Sequence, residues 1–311
     1  MKIPKSKASE DVLKNILKNT YKIVYNQNIS AKKLSSNIKK AFNRKYDFLD
    51  YEEMNSIVTK LICGKISKND LGKDSLLLSP FHINASKIKK SFVASIIKNI
   101  KSSFANYELS ILLNNDQEKL IPILKNLVFF HDATNLIGTI EKSLKLIEKR
   151  LKIHKNIFTI RKFNFSKDYV SLKKILLNDA RNGAGDKRLN FLEKDVQIKH
   201  ESVWKRLSNK PNNGESFVIC NSNKIVGGIA SMYFPKGFNK KIAHIADVII
   251  DPKFQGQGLS YILYKEALIQ AKKKKKIYFT GSTTTKIVLE SATKMGRTPF
   301  MHFYTLKPKS N

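Results

Sequence analysis

Acidic residues and arginine are both scarce in this chain. Of 311 residues only 25 are Asp or Glu, against 58 Lys and Arg, which leaves a formal charge of +33. Seven of the basic residues are Arg (Arg44, Arg150, Arg161, Arg181, Arg188, Arg206 and Arg297); the other 51 are Lys, in a chain that also holds 27 Asn. Arginine is the side chain best suited to bidentate phosphate contacts, so its scarcity argues against a dedicated nucleic-acid reader. No zinc-finger, homeodomain or RNA-recognition signature is present either. A nucleotide bias in the coding DNA accounts for the Lys, Asn and Ile excess as readily as selection for a polyanionic partner does. Whatever its origin, a positive field draws nucleic acid and acidic surfaces.

Cysteine is nearly absent. Cys63 and Cys220 exclude a disulfide framework, and both lie in apolar strings that read as buried thiols. The opening MKIPKSKASE lacks the apolar stretch of a secretory signal. No apolar run approaches the roughly 18–20 residues that cross a bilayer. These absences set the expectation of a soluble, cytoplasmic protein in a reducing compartment. A hydrophobic share of 41% excludes wholesale disorder, and the length allows one large domain or two ordinary ones.

What is present divides near residue 156. Residues 1–155 read as a mainly helical domain for partner or substrate binding. Segments 11–26, 31–47, 50–61, 86–108, 117–130 and 138–152 space apolar residues by three and four, as in Ile140, Leu144, Ile147 and Leu151. His82, His131 and His154 lack metal-ligand spacing, and no internal repeat is evident. From 156 to 311 the pattern is β-α-α-β-β-β-α-β-α-β, an α/β sandwich around a mixed sheet. This half is also the more basic. Residues 151–311 hold 31 basic and 11 acidic residues, a net of +20, against 27 and 14, a net of +13, in residues 1–150.

The chemistry-bearing segment is Asp251-Pro252-Lys253-Phe254-Gln255-Gly256-Gln257-Gly258-Leu259-Ser260. A strand ends in Asp-Pro, a glycine-rich turn follows, and an amphipathic helix begins with Leu259, Ile262, Leu263 and Leu268 as its apolar stripe. Successive free amides at a helix N-terminus suit a pyrophosphate. Gly256 and Gly258 reach backbone angles closed to other residues and keep Cβ atoms out of a phosphate's way. An ordinary glycine-rich turn in another α/β domain is the alternative. A dinucleotide fold is disfavoured, because antiparallel-looking strands precede the turn in place of an initial βαβ unit.

Gln255-Gly256-Gln257-Gly258-Leu259-Ser260 resembles the Arg/Gln-x-x-Gly-x-Gly/Ala signature of the GNAT superfamily of N-acyltransferases, and Asp247-Val248-Ile249-Ile250-Asp251-Pro252 is similar to that family's preceding strand. The resemblance spans residues 156–308. It implies a C-terminal GNAT-like mixed-sheet acyltransferase domain that uses acetyl-CoA or another acyl-CoA. Val248, Ile249, Ile250, Gln255, Gly256, Gln257, Gly258, Leu259, Ser260 and Thr285 are then the expected cofactor-binding residues. Ser260 stands where the signature has Gly or Ala. His244 falls near the family's usual strand carboxylate and is a candidate base, since imidazole ordinarily titrates near neutrality. Its alternative is a strand histidine satisfied by a neighbour. Strand alternation puts His244, Ala246 and Val248 on one face and Asp247 on the other; Asp247 is base, structural partner or surface residue. The family's acid tyrosine maps to Ala292 and its usual Asn to Thr285, so Tyr278, Tyr304 or solvent is left to protonate the thiolate.

Thr280, Ser282, Thr283, Thr284 and Thr285 form a hydroxyl-rich turn suited to helix capping or to lining a cofactor channel. Lys272–Lys276 reads as a solvated helix end or a phosphate contact, and Trp204 as core or as the frame of an acceptor site. The acceptor itself is not legible. The charge favours an anionic macromolecule, tRNA, DNA or an acidic protein, over a polyamine. A GNAT-like module that binds nucleic acid or protein without transfer, a nucleobase-modifying relative, and a bacterial or viral factor acting on a host protein are the other readings.

Overall fold

The computed structural model describes residues 47–50, 61–68, 74–82, 90–103, 105–151, 158–181, 191–209, 214–234 and 241–306. The chain forms two compact units, Met1–Thr134 with Phe300–Asn311, and Asn135–Pro299.

In the first unit the described elements are β1 (Asp47–Asp50), β2 (Leu61–Lys68), β3 (Asp74–His82), α1 (Lys90–Ser103), β4 (Glu108–Asn114), α2 (Ile121–Asn126), the start of β5 (Phe130–Thr139) and most of β11 (Thr298–Leu306). Its sheet runs β1-β2-β3-β4-β11. The β3–β4 pair is parallel and the other three are antiparallel. Parallel neighbours need a crossover, which α1 supplies. Leu76, Ile97, Ile100, Ile111, Leu124 and Tyr304 build its core.

The mainly helical character expected of residues 1–155 holds only in part. Helices Lys90–Ser103 and Ile140–Leu151 fall inside the expected segments 86–108 and 138–152, but five strands lie within residues 47–139. Runs such as Leu61–Lys68 and Glu108–Asn114 are too short for periodicity to separate strand from helix; pairing across the sheet decides them. The segments expected at 11–26, 31–47 and 50–61 lie outside the described residues, save for Asp47, Asp50 and Leu61.

The second unit contains α3 (Ile140–Leu151), β6 (Phe158–Lys162), α4 (Phe165–Arg181), α5 (Lys194–Asn209), β7 (Gly214–Asn221), β8 (Lys224–Tyr233), β9 (Ile242–Ile250), α6 (Leu259–Lys273), β10 (Tyr278–Thr283) and α7 (Lys286–Lys294). The sheet order is β10-β9-β8-β7-β6. Strands β6 to β9 pair antiparallel, and β9 pairs parallel with β10 across the α6 crossover. Helices α3 and α6 bury Ile140, Ile147, Leu263, Leu268 and Ala271 in one core with Phe217, Ile229, Ile245 and Phe279. Helices α4 and α5 bury Leu172, Ile175 and Trp204 in another, with Val218, Cys220 and Ile249. With both faces covered, β7 is buried from Gly214 to Cys220, so it shows none of the period-two alternation of a half-exposed strand.

Helix α4 starts at a reciprocal cap. Asn164 Oδ1 accepts from the Lys167 amide at 3.2 Å, and the Asp168 carboxylate accepts from the Asn164 amide at 2.7 Å. Asp168 also takes a bidentate pair from Arg161, 2.6 and 2.7 Å, tying the helix start to β6. Burial alone pushes the Asp168 carboxyl up; the bonds from Arg161 and the Asn164 amide more than reverse this, so it titrates below the usual range.

Candidate active site

The site grows from the end of β9. Asp251 caps a short 3-10 turn, Pro252–Phe254, by accepting from the Lys253 amide at 3.0 Å. Gln255 then turns back: its Nε2 donates to the Ile250 carbonyl at 3.2 Å and to Asp179 of α4 at 3.0 Å. Burial pushes the Asp179 carboxyl above its usual range, and the Gln255 bond opposes that shift. Gly256 and Gly258 sit at φ +79° and +75°, and Gly258 caps α6 in the left-handed region.

The amides of Gly256, Gln257, Gly258, Leu259 and Ser260 have no acceptor among the described residues. They lie at the positive end of a 15-residue helix. A Cβ built on Gly256 meets no atom within 4 Å, so the space beside the turn is open. Unfilled amides, helix polarity and open space together fit a pyrophosphate. Leu259, by contrast, is buried in the core of the unit; of it only the amide is free to face a ligand.

The second part of the site is a gap between strands. The β9–β10 ladder consists of Ile242–Tyr278, Ala243–Phe279 and His244–Thr280. Beyond it β9 continues to Ile250 without pairing to any described residue of β10. The edge from Ile245 to Ile250, about 17 Å at strand rise, is left open on that side. An extended molecule carrying amide groups can bond there as a strand would.

His244 stands where the strands part. Its Nδ1 is 3.0 Å from Thr280 Oγ1, and its ring lies 6.3 Å from that of Tyr233, its cross-strand partner. Tyr278 is two residues before Thr280 and shares its face. The structure thus brings together His244, Thr280 and Tyr233, while Tyr278 stands in register with Ile242. Tyr304 belongs to the core of the first unit, with its ring 5.3 Å from that of His131; burial first, then Glu118, raises its pKa. Asp247 lies in β9, and its side chain is outside the described residues.

One expectation fails on this strand. Ala243 and Ile245 are buried in the α6-side core, but so are Val248 and Ile250 in part, a spacing of three where alternation requires two. The core-facing side of β9 switches between Ile245 and Val248, so His244 and Val248 do not share a face. Residues on either side of the switch read as ordinary alternation, and the sequence carries no mark of it.

Thr285 caps α7, its Oγ1 accepting from the Val288 amide at 3.4 Å. Ala292 is fully buried in the core, so the position aligned with the family's tyrosine supplies no acid. Trp204 is 1% exposed, packed edge-on against Phe163, Tyr169 and His200; it is core rather than the frame of an acceptor site. Lys272 and Lys276 border a groove of about 1010 Å³ with Lys142, Lys145 and Lys149 of α3. Lys276 Nζ sits 5.3 Å over the Phe234 ring, and burial lowers its pKa. No group of His, Cys, Asp and Glu among the described residues could hold a metal ion, and no helix among them is long and apolar enough to cross a membrane.

A strand gap, a free-amide turn and a crossover helix together make an α/β domain with an open binding edge. A model of the Acetyltransferase (GNAT) family matches residues 184–295, and the C-terminal domain is a GNAT-superfamily domain. No curated protein matches the sequence. Among solved structures, a GCN5-related N-acetyltransferase from Sphaerobacter thermophilus superposes with TM-score 0.56 at 8% identity, covering 100% of this chain and 96% of that one. A GNAT-family acetyltransferase from Colwellia psychrerythraea gives 0.51 at 10%, covering 90% and 98%. A conserved protein of unknown function from Staphylococcus epidermidis gives 0.50 at 14%, covering 86% and 97%. At these identities the likeness is one of fold.

Proposed function

We propose that the C-terminal domain is an acyl-CoA-dependent N-acyltransferase. The observation that carries this reading is the free-amide turn Gly256–Ser260 at one end of the open β9 edge, with His244 at the other. When bound, acyl-CoA supplies an activated thioester. The amides of Gly256–Ser260 hold the pyrophosphate, Gln255 keeps the turn in shape, and the Ile245–Ile250 edge aligns the pantetheine arm. His244 takes the proton from an incoming amine; Thr280 at its Nδ1 fixes the ring's direction. Tyr278 is the candidate donor to the departing thiolate, which needs little help because thiols titrate near pH 8–9, about 8.5 for free cysteine. Acetyl is the simplest group transferred. The acceptor is an amine on an anionic macromolecule, tRNA, DNA or an acidic protein, because the +20 C-terminal half repels cationic amines. Residues 1–155 are the candidate recognition part.

The test is to incubate the protein with labelled acetyl-CoA and, in turn, mixed tRNA, DNA, cell protein and polyamines, and to follow the label. Transfer to a macromolecule supports the reading; absence of both CoA binding and transfer refutes it. The buried Ala292 favours a second reading, a domain that binds CoA without transferring. CoA binding with no label on any acceptor is its signature.

A further inference from the structure

Arg297 is the only arginine buried among the described residues, at 2% exposure. It lies between α7 and β11, on the α6 side of the sheet. Its guanidinium carbon sits 5.2 Å from the Phe279 ring centre and 5.7 Å from that of Tyr264. Nη1 donates to the Tyr264 hydroxyl at 3.2 Å. Nε and Nη2 are wholly buried and have no hydrogen-bond partner among the described residues. Those two groups form one edge of the guanidinium, and that edge is the fork that fits a carboxylate bidentately. The Tyr264 bond and the two rings satisfy Nη1 and the guanidinium plane but not this edge, and buried donors left unfilled cost free energy, so a ligand for the fork is the physical expectation.

The location says which ligand. A Cβ built on Gly281 would lie 2.8 Å from Arg297 Nη2 and 2.6 Å from the Ile245 carbonyl. Gly281 follows Thr280, the last residue of β10 to pair with β9, so the fork borders the point where the strands part. Phe279 and Gly281 share the α6 face by alternation, whereas His244 and Thr280 lie on the other. Glycine at 281 leaves that border without a side chain. Where the strands part, the sheet therefore carries His244 on one face and, against Gly281 and the Ile245 carbonyl, the guanidinium edge on the opposite face.

We propose that the Nε–Nη2 edge of Arg297 binds a carboxylate at the inner end of the β9–β10 opening, so that the acyl group this domain prefers ends in a carboxylate, as succinyl does. This rests on the acyl-CoA reading above and replaces acetyl as the simplest donor. The reaction leaves the carboxylate unchanged. The acceptor nitrogen's lone pair bonds to the thioester carbonyl carbon, the C–S bond breaks with its electron pair going to sulfur, and the proton lost by nitrogen by way of His244 balances the one the thiolate gains.

The experiment is calorimetric titration of the full-length protein with CoA, acetyl-CoA and succinyl-CoA, repeated on Arg297→Met and Arg297→Lys. Succinyl-CoA is expected to bind about tenfold or more tighter than acetyl-CoA, the scale of one charge-assisted bidentate contact. Arg297→Met should lose that preference while keeping affinity for CoA, and Arg297→Lys should restore it only in part, since ammonium lacks the planar fork. Equal binding of the two acyl forms by the wild-type protein, as a buried water on the fork would produce, overturns the proposal and leaves the acyl-CoA reading intact. The same holds for a preference that survives in Arg297→Met. Failure to bind any of the three, CoA included, overturns both. The wild-type comparison decides the matter even if Arg297→Met does not fold.

Discussion

The turn at Gly256 permits stability and ligand binding to be separated. Its φ of +79° means that any other residue there carries a left-handed backbone, at about 1–2 kcal/mol. Its Cβ direction is empty to 4 Å, so a larger side chain adds no clash within the protein. Gly256→Ala and Gly256→Leu should therefore lose the same small amount of stability, a fall of about 2–8 °C in Tm on thermal melting. Binding should not behave that way. A side chain in that space displaces the pyrophosphate from amides whose charge-assisted bonds contribute about 1.5–3 kcal/mol each. Loss of two such bonds weakens CoA on the order of 100-fold or more for Leu, with Ala intermediate. Calorimetric titration with CoA alone measures this without any acceptor. Undiminished affinity in a folded Gly256→Leu protein would refute the placement of the pyrophosphate.

Gly281→Ala puts a methyl group 2.6 Å from the Ile245 carbonyl and should destabilise by about 1–3 kcal/mol, read as a lower urea midpoint. Asp168→Asn weakens the α4 start and the Arg161 bridge; because Arg161 is 47% exposed, the loss near pH 7 is about 2 kcal/mol rather than the 3–5 of a fully buried pair. The folded Asp168 carboxyl titrates low, so this stabilisation is present above the unfolded carboxyl range and vanishes as pH falls through the folded value. Urea midpoints of the wild type and Asp168→Asn should converge in acid; a constant gap would contradict the assignment. Once an acceptor is in hand, His244→Ala should lower kcat/KM by about 100-fold or more. Thr280→Val should reduce it less and alter the pH profile, while CoA affinity is unchanged in both.

The sequence by itself determined the local features. The turn Gln255–Ser260 and the helix after it are contiguous, so composition and spacing suffice to read them. The element order of residues 156–311 is equally legible, because long amphipathic helices alternate with β-branched and apolar runs set off by polar turns. The cap at Thr285 and the burial of Trp204 were among the readings the residues allowed. Tertiary structure alone decided whatever depends on pairing across distance. The strands between residues 61 and 139 are settled by pairing across the sheet rather than by their own spacing. His244 meets Thr280 across 36 positions and Gln255 meets Asp179 across 76. The face switch in β9 leaves no trace in side-chain type. Arg297 looks like any surface arginine until the fold surrounds it with Phe279, Tyr264 and Gly281 and leaves one edge unfilled. Local spacing fixes which backbone angles and helix ends are available, whereas register and burial arise from contacts that only the folded chain creates.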